Sequence, residues 1–317
     1  MWMLSRLFAA SIMIGFAAHA LAAGPPPTIG YITKSATNQG WTLINAGAED
    51  AAREAGVKLI VAGPSSQGAL TGQIEAIERV AADGVKAIAL APVDSAGVTP
   101  IVQRLNATGM PFIAIDTAID GGLAKSYVAT DNVAAAAAQA DWAAGQIGKT
   151  DHIILVDGNL AQSTGHDRRQ GFLDRLRQRQ PGAVVIEVHT SWTFDQARAG
   201  VEAALRADPK VTLVANAWDD GTLGTVAALR TLGYAKGKVR VIGFDGAPNA
   251  LVLLRDGWIQ ADVAQMLYRE GYDGIKAAIA VVRGETVPPR IDTGYALVTA
   301  PTLDHFIADA RLQRFMD

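Results

Sequence analysis

The residues of this chain best suited to chemistry stand where apolar runs give way to polar ones. Lys34, Asn38 and Trp41 follow TIGYI, Asp116 ends PFIAID, and Trp192 and Phe194 follow AVVIEV. Asn216, Trp218 and Asp219 close the run VTLVA, Asp245 ends VRVIGFD, and Gln265 follows IQADVA. Arg168 and Arg169 come early in the helical stretch after HIILVDG. Carboxylates, amides, guanidinium groups and indole rings together suit the binding of a small hydroxylated molecule. Each hydroxyl both donates and accepts, so planar Asp, Asn, Gln and Arg groups engage it in forked pairs. The C–H faces of a sugar ring stack on aromatic side chains, as other apolar surface does. A buried hydroxyl left unpaired costs about 1–3 kcal/mol. Such a site must therefore be dense in polar groups and closed to water. Asp219 and the pair Asp131–Asn132 also have a plainer reading as helix caps or hinge residues. A single tryptophan is as well explained by core packing; the shared location at strand ends gives these three weight.

Catalytic constellations are missing from the sequence. No two glycines are spaced by two, so the dinucleotide fingerprint G-x-G-x-x-G does not occur. GPSSQGAL, from Gly63 to Leu70, has the glycine spacing of a phosphate loop, but Ala69 and Leu70 stand where Lys and Ser or Thr are required. There is no H-E-x-x-H and no G-x-S-x-G. His152, His166, His189 and His305 are far apart in the chain, so no metal site and no cofactor is expected.

The bulk numbers agree with a binding protein. The 317 residues suffice for two lobes, and half of them are hydrophobic. The net charge is −3 with no basic stripe, which argues against nucleic acid as a partner. At the amino terminus, Arg6 precedes an apolar run from Leu7 to Ala18 and then small residues around Ala20–Ala23. That layout predicts a cleaved signal peptide over residues 1–23. A membrane anchor is the rival, but a span needs about 20 apolar residues. Cysteine is absent, so neither a disulfide nor a lipid-bearing cysteine is available. An exported chain without an anchor is expected in the periplasm.

The elements that must position these residues alternate along the chain. Strands are predicted at 28–33, 57–62, 87–92, 111–116, 152–158, 183–188, 211–216, 239–245 and 259–264, with a short one at YVAT (127–130). Their Val- and Ile-rich runs suit strands covered on both faces. Between them lie helical periods; Leu70, Ile74, Ile77 and Ala81 share one face. Gly56, Gly84, Gly109 and Gly233 stand where helices should stop. Such βα alternation implies parallel sheets, and this many strands divide better between two Rossmann-like lobes than into one sheet. A barrel of eight βα units is the alternative.

With these residues in place, the chain resembles the periplasmic sugar-binding proteins of the ribose- and galactose-binding type, the solute receptors of ABC importers. The resemblance runs from about Thr28 to Ala300. It is carried by GYITK and the following N-x-G-W, by APVD (91–94), PFIAID, YVATDNV, RRQGF, VIGFDGAP and DGWIQADVAQ. It implies an α/β protein of the type I periplasmic binding protein fold, with two lobes joined by a three-crossing hinge that close on a ligand. The lobes would comprise residues 26–130 plus 266–293 and residues 131–265 plus 294–317. The crossings would fall near Thr130–Asn132, Gln265–Met266 and Asp292–Tyr295. Carried over position by position, Lys34, Asn38, Trp41 and Asp116 match first-lobe contacts. Arg168, Trp192, Phe194, Asp245 and the hinge-side Gln265 match second-lobe ones. Trp218 falls where ribose-type members carry an amide. Lys34 replaces a small polar residue, Thr117 an arginine and Gly40 an aromatic, which points away from ribose itself. The expected partners are a neutral sugar or polyol and an ABC transporter permease, with the protein a monomer. The alternatives are an autoinducer or sugar-acid receptor for signalling or chemotaxis, and a repressor-like sensing core.

Overall fold

A computed structural model describes residues 26–34, 38–64, 69–121, 123–310 and 312–316. The segment expected to be a signal peptide lies outside them. The strands are β1 (Thr28–Ile32), β2 (Lys58–Ala62), β3 (Ile88–Leu90), β4 (Phe112–Ile115), β5 (Ser126–Ala129), β6 (His152–Asp157), β7 (Val184–His189), β8 (Val211–Asn216), β9 (Arg240–Asp245), β10 (Ala261–Gln265), β11 (Arg290–Asp292) and β12 (Tyr295–Thr299). The helices are α1 (Gln39–Ala55), α2 (Leu70–Ala82), α3 (Thr99–Asn106), α4 (Asn132–Ala144), α5 (Ser163–Arg179), α6 (Phe194–Ala207), α7 (Asp219–Thr231), α8 (Pro248–Arg255), α9 (Leu267–Val282) and α10 (Leu303–Asp309).

Two six-stranded sheets result, ordered β11-β5-β4-β3-β1-β2 and β12-β10-β9-β8-β6-β7. The first is parallel throughout; in the second only β12 runs antiparallel, against β10. The chain passes between the lobes three times: from β5 to α4, from β10 to α9, and from β11 to β12. This excludes the barrel. The predicted strands form close to their expected bounds because the apolar runs of the inner ones are buried in a helix-covered sheet, while the edge strands β2 and β7 are exposed or half-buried along their length. The exceptions are β11 and β12, which had no counterpart in the reading. RID and YALVT are short, and most of their residues are exposed or half-buried at a sheet edge.

Local choices agree with this frame. Gly56, Gly84, Gly109 and Gly233 all have positive φ, the left-handed geometry of a helix stop. The face of α2 turns a little from its expected centre: Gln73, Ala76, Ile77 and Val80 are the buried ones. Gln73 earns that place by donating to Ala91 O at 2.8 Å while accepting from Val93 N at 2.9 Å, which fixes the loop leaving β3. In the first lobe α1 and α9 cross at two glycines. A side chain at Gly47 would strike the Tyr268 carbonyl, and one at Gly271 the Ile44 carbonyl.

Candidate functional site

In both sheets the carboxyl ends of the strands face a common cleft, the expected ligand position in open α/β sheets. Its walls include Lys34, Asn38, Trp41, Asp116, Arg168, Trp192, Trp218, Asp245 and Gln265. Phe194 is not among them. It is the first residue of α6 and is 36% exposed, so the expectation for it is corrected. Trp192, two residues earlier, takes a positive φ of 63° and turns its ring inward instead.

The first lobe contributes an ion pair. Lys34 Nζ contacts Asp116 Oδ2, Thr117 Oγ1 and, at 2.9 Å, Gln162 Oε1. An ammonium has three protons, so all of them are taken inside the protein. Thr117, which is buried, donates in turn to Asp116 Oδ2 at 2.7 Å. Asp116 holds a positive φ of 63°, and its carbonyl accepts the Tyr127 hydroxyl at 3.0 Å. Burial alone would raise the Asp116 carboxyl. The Lys34 and Arg168 charges, with hydrogen bonds from Lys34 and Thr117, outweigh it and hold the group below the ordinary carboxylate range.

The second lobe repeats the arrangement. Arg168 Nη1 donates to Asp245 Oδ1 at 3.1 Å and to Ala217 O at 2.7 Å, and Nε donates to Asn132 Oδ1 at 2.7 Å. Its guanidinium lies 4.1 Å from the Phe244 ring centre and 5.9 Å from that of Trp192. Gln265, the last residue of β10, donates to Asp245 Oδ1 at 2.7 Å. Burial pushes the Asp245 carboxyl up to about 6, against the opposing pull of Arg168. Arg169 points elsewhere, one helical step of roughly 100° away, and pairs with Glu187.

The aromatic walls belong to both lobes. Trp192 and Trp218 meet edge to face at 5.3 Å between ring centres. Trp192 Nε1 donates to Gln162 Oε1 at 3.0 Å. Trp218 Nε1 is buried and has no hydrogen-bond partner among the described residues. Asn38 caps α1, accepting the Trp41 N–H at 2.8 Å, and so places Trp41 under the ammonium of Lys34, 5.8 Å away. Asp131 caps α4, as its plainer reading foresaw.

Gly40, noted for replacing an aromatic, also lines the cleft, and Gln162, Thr164, Ile44 and Leu267 complete the lining without having been singled out from the sequence. Gln162 is the most consequential. It stands just before α5 and is buried. Besides accepting from Lys34, it donates to Val93 O at 3.0 Å, so it links the two lobes at both ends. The same segment adds Ser163 N to Ser95 Oγ at 3.0 Å and Ala118 N to Ser163 Oγ at 2.9 Å. On the other flank Asn249 N donates to Gln39 Oε1 at 2.7 Å. The lobes are closed on each other, and the cavity left between them is about 50 Å³. Ligand pockets commonly measure roughly 300–1,000 Å³, several times this volume.

Away from the cleft, Asp157, Glu187 and His189 bring potential metal-ligand atoms within 4.8 Å of one another, a grouping the sequence spacing did not disclose. Each is engaged within the protein: His189 Nδ1 with Asp157 at 2.9 Å, and Glu187 with Arg169.

Comparison with known proteins decides the family. Residues 29–286 match the periplasmic binding protein domain. The chain belongs to the periplasmic binding protein family. Among periplasmic binding proteins it is 28% identical to the ribose import binding protein of Escherichia coli over 275 residues, covering 86% of this chain and 90% of that one. It is 25% identical to the D-ribose/D-allose-binding protein of Pseudomonas aeruginosa over 288 residues, with 87% and 89% covered. A solved carbohydrate transporter solute binding protein from Agrobacterium radiobacter, in complex with D-arabinose, superposes with a TM-score of 0.84 at 29% identity. That match covers 93% of this chain and 100% of the other. An ABC transporter solute binding protein from Agrobacterium vitis, bound with α-D-tagatopyranose, gives 0.82 at 25% identity, covering 92% and 99%.

Proposed function

We propose that this periplasmic binding protein captures a neutral sugar or polyol between its lobes and presents it, unchanged, to an ABC importer permease. The observation that carries the reading is charge balance. Each lobe brings one carboxylate and one cation to the cleft, Asp116 with Lys34 and Asp245 with Arg168, and each pair is already formed. A sugar acid would meet two carboxylates, and because the protons of Lys34 are taken it would find only Arg168 Nη2 as a charged donor among the described residues. What remains uncommitted among the described residues is mixed. Arg168 Nη2 and Trp218 Nε1 are donors; Asp116 Oδ1 and Gln265 Oε1 are acceptors. Hydroxyl groups answer both kinds. The relatives that bind ribose, allose, arabinose or tagatose support the same class of ligand.

In this reading residues 26–130 plus 266–293 and residues 131–265 plus 294–317 move as two bodies. Asn38, Trp41, Asp116, Arg168, Trp192, Trp218, Asp245 and Gln265 touch the ligand; Lys34, expected as a further contact, instead holds Asp116 in place, since its protons are engaged by Asp116, Thr117 and Gln162. Contacts with both lobes favour the closed form, which the permease recognises. The protein acts as an exported monomer in the periplasm. A thermal-shift screen with D-ribose, D-allose, D-arabinose, D-tagatose, myo-inositol and D-gluconate tests it, since a tight ligand raises the melting temperature by mass action. A shift from a neutral compound and none from gluconate is expected. A shift from gluconate alone overturns the choice of class, and no shift from any neutral compound counts against the cleft as a sugar site.

A further inference from the structure

We propose that Asp219 and Asp262 share one proton and together hold Asp245 in the backbone conformation that faces the cleft. The inference rests on the sugar-binding reading for its consequence, though not for its geometry.

Asp219 is the first residue of α7 and Asp262 lies in β10; both are buried. One oxygen of each grips the backbone just after Asp245. Asp262 Oδ1 accepts the Gly246 N–H at 2.9 Å, and Asp219 Oδ2 accepts the Ala247 N–H at 2.7 Å. The remaining oxygens, Asp219 Oδ1 and Asp262 Oδ2, have no hydrogen-bond donor among the described residues. They converge on one spot. A Cβ added to Gly243 would lie 2.8 Å from Asp219 Oδ1 and would collide with Asp262 Oδ2. Glycine is therefore needed at 243 to make room for both.

Two ionised carboxylates cannot sit so close in a buried place without a cation. Neither forms an ion pair among the described residues. A single proton between the converging oxygens turns repulsion into a hydrogen bond and leaves neither oxygen orphaned. Burial, followed by the charges of Asp262 and Asp245, pushes Asp219 well up. Burial raises Asp262 to about 7 against its contact with Asp219. The charged neighbour of the pair is Asp245, neutralised on its far side by Arg168. From α4 the uncharged Gln139 faces the region, donating to Asn216 O and Gly243 O, and β12 places Val298 opposite Asp262.

The strained residue is Asp245 itself, with φ 122°. Such a conformation persists only where surrounding contacts over-determine it. The pair supplies two of those contacts on consecutive amides. Asp219 and Asp262 are thus positioning residues: they touch no ligand but set where the Asp245 carboxylate points. Losing the shared proton at high pH places a second buried charge beside Asp245 and loosens the turn.

Carbon-13 NMR of aspartate-labelled protein reads the proton directly. Two carboxyl signals should shift together and retain a proton to at least about pH 6, above the ordinary value of about 3.9. Both groups ionising near that ordinary value would overturn the proposal. Calorimetry with D-allose as probe reads the consequence. In the wild type, Kd should rise at least about threefold more between pH 5.5 and 8.5 than in D262N, whose amide keeps the Gly246 contact and donates permanently to Asp219. D262A, which loses that contact, should bind at least about fivefold more weakly at both pH values. Equal pH slopes in wild type and D262N, or D262A binding as wild type does, overturn it. The NMR measurement needs no sugar. Failure to bind D-allose therefore tests the choice of ligand, while ordinary ionisation with sugar binding intact refutes the shared proton alone.

Discussion

Glu270 and Thr130 belong to different crossings of the hinge and meet at one oxygen: Glu270 Oε1 accepts the Thr130 N–H at 3.1 Å and the Thr130 hydroxyl at 3.0 Å. Thr293, from the third crossing, donates to the same oxygen at 3.5 Å. The second oxygen, Oε2, is buried without a partner among the described residues. Burial first, and the Asp116 charge after it, push the Glu270 carboxyl up to about 8. The folded protein therefore keeps a proton that the unfolded chain releases near its ordinary value of 4.5. A raised carboxyl pKa means that stability falls as pH rises from about 4.5 to about 8 and then levels off. Asp245 and Asp262 act in the same direction. Glu270→Gln removes one such proton. Between pH 5 and pH 8 its melting temperature should fall less than that of the wild type, by about 2 °C or more. Parallel melting curves would show that Glu270 is ionised in the fold.

Asp116→Asn keeps the size of the side chain and removes the charge that Lys34 faces. The remaining acceptor is weaker, and sugar affinity should drop at least tenfold, the equivalent of about 1.4 kcal/mol. Calorimetry with the best sugar from the screen measures this. Unchanged affinity would remove Asp116 from the site.

Trp192→Phe and Trp218→Phe delete similar volume but different hydrogen bonding. The Trp192 N–H is bonded to Gln162, whereas the Trp218 N–H has no partner among the described residues. In the sugar-free protein Trp192→Phe should therefore lower the melting temperature more, since it removes one of the two hydrogen bonds to Gln162 Oε1, worth about 0.5–1.5 kcal/mol. In sugar binding the Trp218 change should weigh at least as heavily. Identical effects on both readouts would assign the two rings the same role.

Gln162→Ala removes the side chain that joins the lobes at Lys34 and Val93. The expected result is a shift toward the open form, seen as a larger radius of gyration in small-angle scattering without sugar. An unchanged scattering curve would mean that the other rim contacts alone hold the lobes together.

The crossings were implied by the family resemblance, and β11 and β12 left no clear run, but β1 to β10 and the two lobes were legible because buried parallel strands leave apolar runs that end at polar residues. The same logic located Asp116, Arg168, Asp245 and Gln265. It failed for Phe194, where alternation along the chain cannot tell which of two aromatic rings a left-handed residue will turn inward. It also passed over Gln162. That residue lies in the loop after β6, the kind of strand exit that marked the others, but a single amide among small residues carries no weight until its partners across the cleft are seen. The pairing of Asp219 with Asp262 was out of reach, because the two are brought together only by the adjacency of α7 and β10 to β9.

The first lobe is finished by α9 and β11, which come after every parallel strand of the second. A polypeptide threading out from its amino end thus cannot complete that lobe until residue 292 has emerged, after every parallel strand of the second lobe. Partial chains that stop short of it hold an unfinished sheet edge and a naked face of α1, so the lobe that begins first must wait for the sheet of the second.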